Sequence, residues 1–329
     1  MTYKYGIVSF TFFFFNLRLQ NMPELPEVQT TASILNKKLK GLFILDVWTD
    51  YDSTFHKGKN NIKDKKYFSY FKKEILNKKI LSVERRAKNV LINVSGNPND
   101  ARAGHTILVH MKMTGHLLYG KYKFKNKKWF PPIDGPLSDP FNRFIHLAFV
   151  LSDRNTLVLS DMRKFAKVFV FDTDKSYKTS DLEKLGPEPL DKSFTYRIFK
   201  NALNKKLNGK IKTVLMDQSI ISGIGNIYSD EVLWMSCTHP ETKVKDITEE
   251  KLRVLFKSII DVLKHSIKVG GDSMSDYRNP YGEKGGYQNI HKVYRRTGEK
   301  CFVKNCKGVI KRIKVGGRSA HYCEVHQKK

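Results

Sequence analysis

The sequence contains no apolar run of the roughly 18 residues that a membrane-spanning helix needs, so membrane insertion by a single helix is excluded. Acid is scarce. Asp and Glu number 32 against 60 Lys and Arg, a formal net charge of +28 on 329 residues. An excess of this size suits a polyanion, nucleic acid before an acidic membrane surface, although a Lys-rich chain also gains solubility, and charge alone names no reaction. Cysteine is scarce too. There are four, three of them within the last 29 residues, which is not the spread of a disulfide scaffold and points to a metal site in a reducing compartment. Internal repeats are absent, and the only low-complexity tract is Phe12–Phe15. With 40% hydrophobic residues the chain can build cores, so wholesale disorder is excluded, and the length suggests two domains with a small third module.

The N-terminus is anomalous. Gly6 to Leu17 has the length of a signal-peptide core, yet only Lys4 precedes it, and Leu17-Arg18-Leu19-Gln20-Asn21 offers no small-residue cleavage site. A native start at Met22 explains the stretch better, making 1–21 an extension outside the mature protein. From Pro23 a short turn leads into a helix to Leu39, with Ile34, Leu35 and Leu39 on one face. Residues 56–79 are Lys-rich and read as a surface insertion. Apolar runs at 80–94, 106–119, 144–151 and 156–171 read as strands, with Trp129-Phe130-Pro131-Pro132 in a loop between two of them. Gly186-Pro187-Glu188-Pro189 is a breaker and linker. Beyond it the period is helical. In 248–268 Thr248 caps, Glu249 and Glu250 fill the first turn, Gly270-Gly271 stops the helix, and Leu252, Leu255, Phe256, Ile259, Leu263 and Ile267 form a core stripe. Cys237 reads as a buried small hydrophobe. The expected organisation is a domain over 22–180, a helical domain over 190–290 and a module over 291–329.

That module carries Cys301-x4-Cys306, sixteen residues, then Cys323-x2-His326. Two ligand pairs flanking a hairpin are the layout of a structural zinc finger, and a closed four-ligand Zn²⁺ site folds a segment too small for its own core. Val309 to Val315 alternates as a strand does, and Gly316-Gly317 makes the turn. Eight basic residues against one acid suggest a DNA-facing surface.

Met22-Pro23-Glu24-Leu25-Pro26-Glu27-Val28 is the most informative heptad. With Met22 removed, Pro23 would carry a free secondary amine, a nucleophile toward the C1′ carbon of a sugar, and the resulting iminium is an electron sink for elimination. Glu24 beside it can shuttle protons. A Pro-rich turn before a helix accounts for the heptad equally well.

Further motifs break the tie: Arg85-Arg86-Ala87-Lys88, His110-Met111-Lys112-Met113-Thr114-Gly115, Asp161-Met162-Arg163-Lys164-Phe165, Leu185-Gly186-Pro187-Glu188-Pro189-Leu190, Gly223-Ile224-Gly225-Asn226-Ile227-Tyr228 and Gly317-Arg318. In this order, from Met22 to the C-terminus, the chain resembles the formamidopyrimidine-DNA glycosylase/endonuclease VIII family. The resemblance implies an α+β multidomain fold: an N-terminal antiparallel β-sandwich with a flanking helix, a helix-two-turn-helix domain and a C-terminal zinc finger, with DNA in the cleft between domains. It implies excision of an oxidised purine such as 8-oxoguanine or a formamidopyrimidine from double-stranded DNA, then cleavage of the abasic strand by β,δ-elimination. Pro23 would form the Schiff base and Glu24 act as general acid, while Lys88 and Arg318 would assist β- and δ-elimination.

A glycosylase must flip its base out and fill the gap, and Met113, Arg163 and Phe165 match the family's wedge; Phe165 also reads as strand core. His110, Lys212, Asn226 and Arg318 are the phosphate candidates, Lys212 on the match alone and Asn226 with a helix cap as the alternative. One structural Zn²⁺ would be held by Cys301, Cys306, Cys323 and His326. The four-residue first gap and the final His depart from the commoner four-Cys pattern. The Gly270–Tyr287 loop suits either a cover over a flipped base or a mobile surface loop. A monomer acting in the cytoplasm, at the nucleoid if bacterial, is expected. The alternatives are a non-catalytic damaged-DNA-binding zinc protein and an endonuclease VIII-like enzyme for oxidised pyrimidines, the first because an extension beyond Pro23 would turn its amine into an amide.

Overall fold

The computed structural model describes residues 22–96, 102–174 and 181–329, so the expectation about the extension 1–21 lies outside the described residues. Helix α1 (Leu25–Leu39) starts where the sequence dictates, with Pro26 in its first turn and Glu27 accepting from the Glu24 backbone N–H at 2.8 Å. Its apolar face, Val28, Ala32, Leu35 and Leu39, is buried on the edge of a sandwich.

One sheet has the order β10 (Lys167–Asp172), β4 (Ala103–His110), β3 (Asn89–Ser95), β2 (Ile80–Arg86). The other runs β1 (Ile44–Thr49), β8 (Ile145–Leu151), β9 (Thr156–Asp161), β5 (Gly115–Gly120). All pairings are antiparallel. The apolar runs at 80–94, 106–119 and 156–171 are therefore each two strands, and the last two runs split between sheets. Alternation explains the packing: Val90, Ile92 and Val94 of β3 enter the core while Leu91 and Asn93 face outward. Strand β9 is buried along its whole length because the second sheet is covered on its outer face too. There Leu118, Ala148 and Val158 lie beneath Trp48, Trp129 and Leu137, and Trp129 belongs to a small hairpin, β6 (Lys123–Lys125) and β7 (Lys128–Phe130), not to a loop.

The Lys-rich stretch is only partly a surface insertion. It contains α2 (Lys65–Ile75), capped by Asp64, whose Phe71 and Ile75 are fully buried in the sandwich core.

The helical part comprises α3 (Tyr196–Asn204), α4 (Ile211–Met216), α5 (Asn226–Met235) and α6 (Glu249–Lys268). Thr248 caps α6 as expected, its hydroxyl accepting from the Lys251 N–H at 3.4 Å. The two turns between α4 and α5 are stitched by Gln218, which donates to the Met216 and Ile224 carbonyls and accepts from Gly223 N–H at 2.8 Å. Leu25 belongs to this helical core rather than to the sandwich, so the first turn of α1 crosses the domain boundary. A C-terminal hairpin, β11 (Ile310–Val315) and β12 (Arg318–Cys323), packs on α5: Asp230 accepts from the His321 backbone N–H at 2.9 Å.

Candidate active site

The sandwich brings three loops to one end. His110 pairs with Asn89 on one side and Lys167 on the other, and Gly115 pairs with Asp161. The β2–β3 turn with Lys88, the β4–β5 loop with Met113 and the β9–β10 loop with Arg163 and Phe165 therefore converge. Each loop contains a non-glycine residue in the left-handed region: Ala87 at φ 54°, Lys112 at 56° and Lys164 at 55°. Such conformations cost on the order of 1 kcal/mol apiece and persist only where surroundings impose them.

Those surroundings are specific. Glu188 accepts from Arg85, from Arg86 and from the Ala87 N–H at 2.5 Å, clamping the turn that carries Lys88 onto the interdomain linker. Burial pushes the Glu188 carboxyl up, but Arg85 and Arg86 with the Ala87 N–H outweigh it and hold the group below the ordinary range. Asp161 accepts from the Thr114 hydroxyl and from Ala166 N–H, fixing both ends of the wedge loops. Lys63, from the Lys-rich stretch, donates to the Lys164 carbonyl. The sequence reading passed over all three. Glu188 and Asp161 sat inside motifs quoted for the resemblance but were given no role of their own.

Glu24 lies at the N-terminus of α5. Its buried carboxylate accepts from Gly225 N–H at 2.7 Å, Ile227 N–H at 2.9 Å and Tyr228 N–H at 3.4 Å. These backbone donors beside Asn226 are therefore engaged by Glu24 and not free for a phosphate. Gly225 is required by space. An added Cβ would stand 2.4 Å from Glu24 Cδ and 2.7 Å from Lys88 Nζ, so both side chains meet over this glycine. Burial raises Glu24 against the pull of Lys88 and the three N–H groups, and burial lowers Lys88 against the pull of Glu24. The two affinities for a proton are drawn together, which suits proton transfer better than a fixed ion pair. Arg318, exposed at the finger's turn, also lowers Lys88 and so stands within its field. Pro23 is buried immediately before Glu24.

Glu27, unremarked in the sequence, is the support. It accepts from Glu24 N–H, from the Tyr228 hydroxyl and from Asp272 N–H at 2.7 Å, and burial with the nearby Asp272 raises it to about 8.

The three residues expected to form the wedge come together. Arg163 stands 4.6 Å over the Phe165 ring and contacts Met113 Sδ at 3.5 Å. Phe165 is 48% exposed and precedes β10, which removes the strand-core reading. His110 accepts from Lys112 N–H through Nδ1 at 3.1 Å; burial and three neighbouring lysines lower it to about 3, leaving a neutral ring whose Nε2–H is a donor. Asn226 is the first residue of α5 rather than its cap, and its Oδ1 has no partner among the described residues. Lys212 departs from expectation. It is fully buried and donates to Asp230 at 2.6 Å and Ser229 at 3.0 Å, so it supports the helix pair and the finger instead of facing phosphate.

Three of the four chosen metal ligands meet: the sulfurs of Cys301, Cys306 and Cys323 lie within 4.8 Å of one another, and Cys306 and Cys323 are 3.8 Å apart. Two sulfurs on one tetrahedral Zn²⁺ at about 2.3 Å stand about 3.8 Å apart, so the trio fits that ion. His326 lies outside the trio, its Nε2 2.9 Å from the Trp234 carbonyl and 3.5 Å from Cys237 Sγ. Donation by Nε2–H leaves Nδ1 as the nitrogen with a lone pair. Cys237 is exposed, not buried, at φ 53° just past α5.

The 272–290 segment is not a loose loop. Arg278, 1% exposed, binds Asp139 of the sandwich, Tyr277 donates to the Glu27 carbonyl at 3.0 Å, and the Pro280 carbonyl accepts from Tyr119 N–H at 2.8 Å. It straps the two domains together beside Glu27.

Profiles of known families match both parts: the formamidopyrimidine-DNA glycosylase N-terminal domain over residues 22–168 and the formamidopyrimidine-DNA glycosylase H2TH domain over 185–278. The chain belongs to the formamidopyrimidine-DNA glycosylase family. A formamidopyrimidine-DNA glycosylase of Pelotomaculum thermopropionicum is 35% identical over 93% of this chain and 99% of its own length. The enzyme of that name from Ligilactobacillus salivarius is 34% identical over 92% and 97%. Among solved structures, Lactococcus lactis Fpg in complex with abasic-site DNA superposes with a TM-score of 0.75 at 31% identity, covering 93% of this chain and all of that one. A MutM complex with DNA containing carbocyclic 8-oxo-G has the same TM-score, identity and coverage. Members of this family are DNA glycosylases and abasic-site lyases, and the architecture of sandwich, H2TH helices and terminal Cys cluster is theirs.

Proposed function

We propose that this chain excises oxidised purines from duplex DNA and cleaves the resulting abasic strand, with Pro23 as nucleophile. The observation that carries the reading is the Glu24 carboxylate, buried beside Pro23, held by three backbone N–H groups and sharing Gly225 with Lys88. The relatives bound to abasic and 8-oxo-G DNA supply the substrate class.

In this scheme the Pro23 nitrogen attacks C1′ and the base departs with its bonding pair. Glu24 protonates the ring oxygen, and the opened sugar becomes an iminium. Loss of the C2′ proton with the 3′ phosphate, then of the C4′ proton with the 5′ phosphate, completes β,δ-elimination, and water hydrolyses the iminium to return the free Pro23 amine; Lys88 and Arg318 would steady those leaving groups. Met113, Arg163 and Phe165 would occupy the space of the flipped base. His110, as a neutral donor, and Asn226 would hold the bent backbone. A Zn²⁺ on Cys301, Cys306, Cys323 and Nδ1 of His326 would brace the hairpin that presents Arg318.

The chemistry requires a free Pro23 amine, so the working chain is taken to begin at Met22, where the family match also begins. No described helix is long and apolar enough to cross a membrane, and a reduced thiol cluster suits action at the cell's own DNA in the cytoplasm. Borohydride trapping tests the whole. A chain beginning at Met22 is expected to form a covalent adduct with duplex containing 8-oxoguanine opposite cytosine, and the chain beginning at Met1 none. No adduct from the free-Pro23 chain would favour the non-catalytic DNA-binding reading.

A further inference from the structure

A second feature lies outside this cleft. Between the β6–β7 hairpin and the start of β8 is an open groove of about 740 Å³. Its floor is aromatic. Trp48 and Trp129 stand 6.2 Å apart, edge to face, each resting partly on the outer face of the second sheet, and Phe144 lines the same space. Its rim is basic, carrying Lys125, Lys127, Lys128 and Arg143. None of these four is in an ion pair among the described residues, and the one carboxylate in the lining, Asp50, is engaged by His146 Nδ1 at 2.8 Å. The hairpin holds the cations at its tip through a tight turn in which Asn126 and Lys127 are both left-handed, at φ 52° and 59°.

The groove adjoins the loop that carries Arg163 and Phe165. The Phe144 carbonyl accepts from Asp161 N–H at 2.8 Å, and Asp50 lies 3.9 Å from Lys164 Nζ, between Arg163 and Phe165. Aromatic faces beneath a track of unpaired cations match the chemistry of an unpaired nucleic-acid strand, whose bases offer π-faces and whose phosphates follow at short intervals. A duplex presents base edges, not faces, and would leave Trp48 and Trp129 unused; an acidic peptide would meet the charges but offer the indoles no flat partner.

We propose that this groove is a second nucleic-acid site, taking an unpaired DNA strand with bases against Trp48, Trp129 and Phe144 and phosphates on Lys125, Lys127, Lys128 and Arg143. It needs no lesion and no Pro23 chemistry. It is therefore separable from the cleft: a chain that fails borohydride trapping can still bind here, and the converse.

The test uses the full chain from Met22, a fluorescent oligo(dT) of about ten nucleotides, and a duplex with a non-reactive abasic analogue. The variant K127E/K128E/R143E alters exposed side chains with no part in the cleft. It is expected to weaken oligo(dT) binding at least about tenfold and to lower its salt slope by about 2, at roughly 0.7 for each phosphate no longer neutralised. Duplex affinity should stay within about threefold. Iodouracil in the oligonucleotide should photocrosslink to Trp48, Trp129 or Phe144. Undetectable oligo(dT) binding, unchanged binding by the variant, equal loss on oligo(dT) and duplex, or crosslinks confined to Met113 and Phe165 would each overturn the assignment.

Discussion

Gly225→Ala isolates the contact on which the chemistry depends. A methyl at this position would stand 2.4 Å from Glu24 Cδ and 2.5 Å from its Oε1. Ordinary carbon contacts begin near 3.5 Å, so the carboxyl must retreat by about 1 Å. Glu24 has little room to do so, since it is 2% exposed and also bonded to Ile227 and Tyr228 N–H. The oxygen nearest the added methyl, Oε1, accepts from Ile227 N–H, so that bond is disturbed first. A hydrogen bond to a charged group contributes roughly 1.5–3 kcal/mol, so losing one costs about 2 kcal/mol, a factor of about 30 if it acts in the transition state. Displacement of the reacting groups by about 1 Å carries the loss toward 100-fold. The assay is single-turnover borohydride trapping on a preformed abasic site, with affinity for the non-reactive analogue measured in parallel. The expected result is a trapping rate about 30- to 100-fold lower, affinity within about threefold, and a melting temperature lower by a few degrees. Trapping within twofold of the parent would refute the claim that Gly225 positions Glu24 and Lys88.

Three further outcomes are expected. Lys212→Met removes the buried cation beside Asp230 and leaves it only its His321 partners, so chemical denaturation should register a loss of about 3 kcal/mol, and a loss under 1 kcal/mol would mean the pair is dispensable. The His110 ring, lowered to about 3, should show no NMR titration from about pH 8 to pH 5; since its folded value is depressed, its contribution to stability is present above the ordinary histidine range and declines as pH falls below it. Titration near the ordinary value would contradict its burial. Cys306→Ser should release about one zinc per chain by metal analysis and weaken duplex binding, because the hairpin that carries Arg318 loses its brace; undiminished metal content would exclude the thiol trio as the site.

Much of the fold was legible because it is written in local signals. The Thr248 cap, the Gly270-Gly271 stop and the breaker at 186–189 act over a few residues, and the structure has α6 at Glu249–Lys268. Long apolar runs were recognised as strands but not as pairs of strands, since Ala87 and Met111–Thr114 reverse the chain without a glycine or proline at the bend. Helix α2 was hidden because its charge belongs to the exposed face and only Phe71 and Ile75 are fully buried.

The sequence by itself determined the residue types available for chemistry, their order along the chain and the charge that draws the protein to a polyanion, since these depend on side-chain identity alone. Tertiary structure decided which of them meet. Glu24 and Gly225 are 201 residues apart and become a single unit because α1 enters the H2TH core at Leu25. Lys212, expected at a phosphate, is buried against Asp230, while Phe165, readable as wedge or as strand core, is left in solvent, because burial is set by what packs alongside and not by the residue's own polarity. The Trp48–Trp129 groove belongs to the same class: its walls come from β1, a hairpin and the turn before β8, and only the folded sheet sets them around one space.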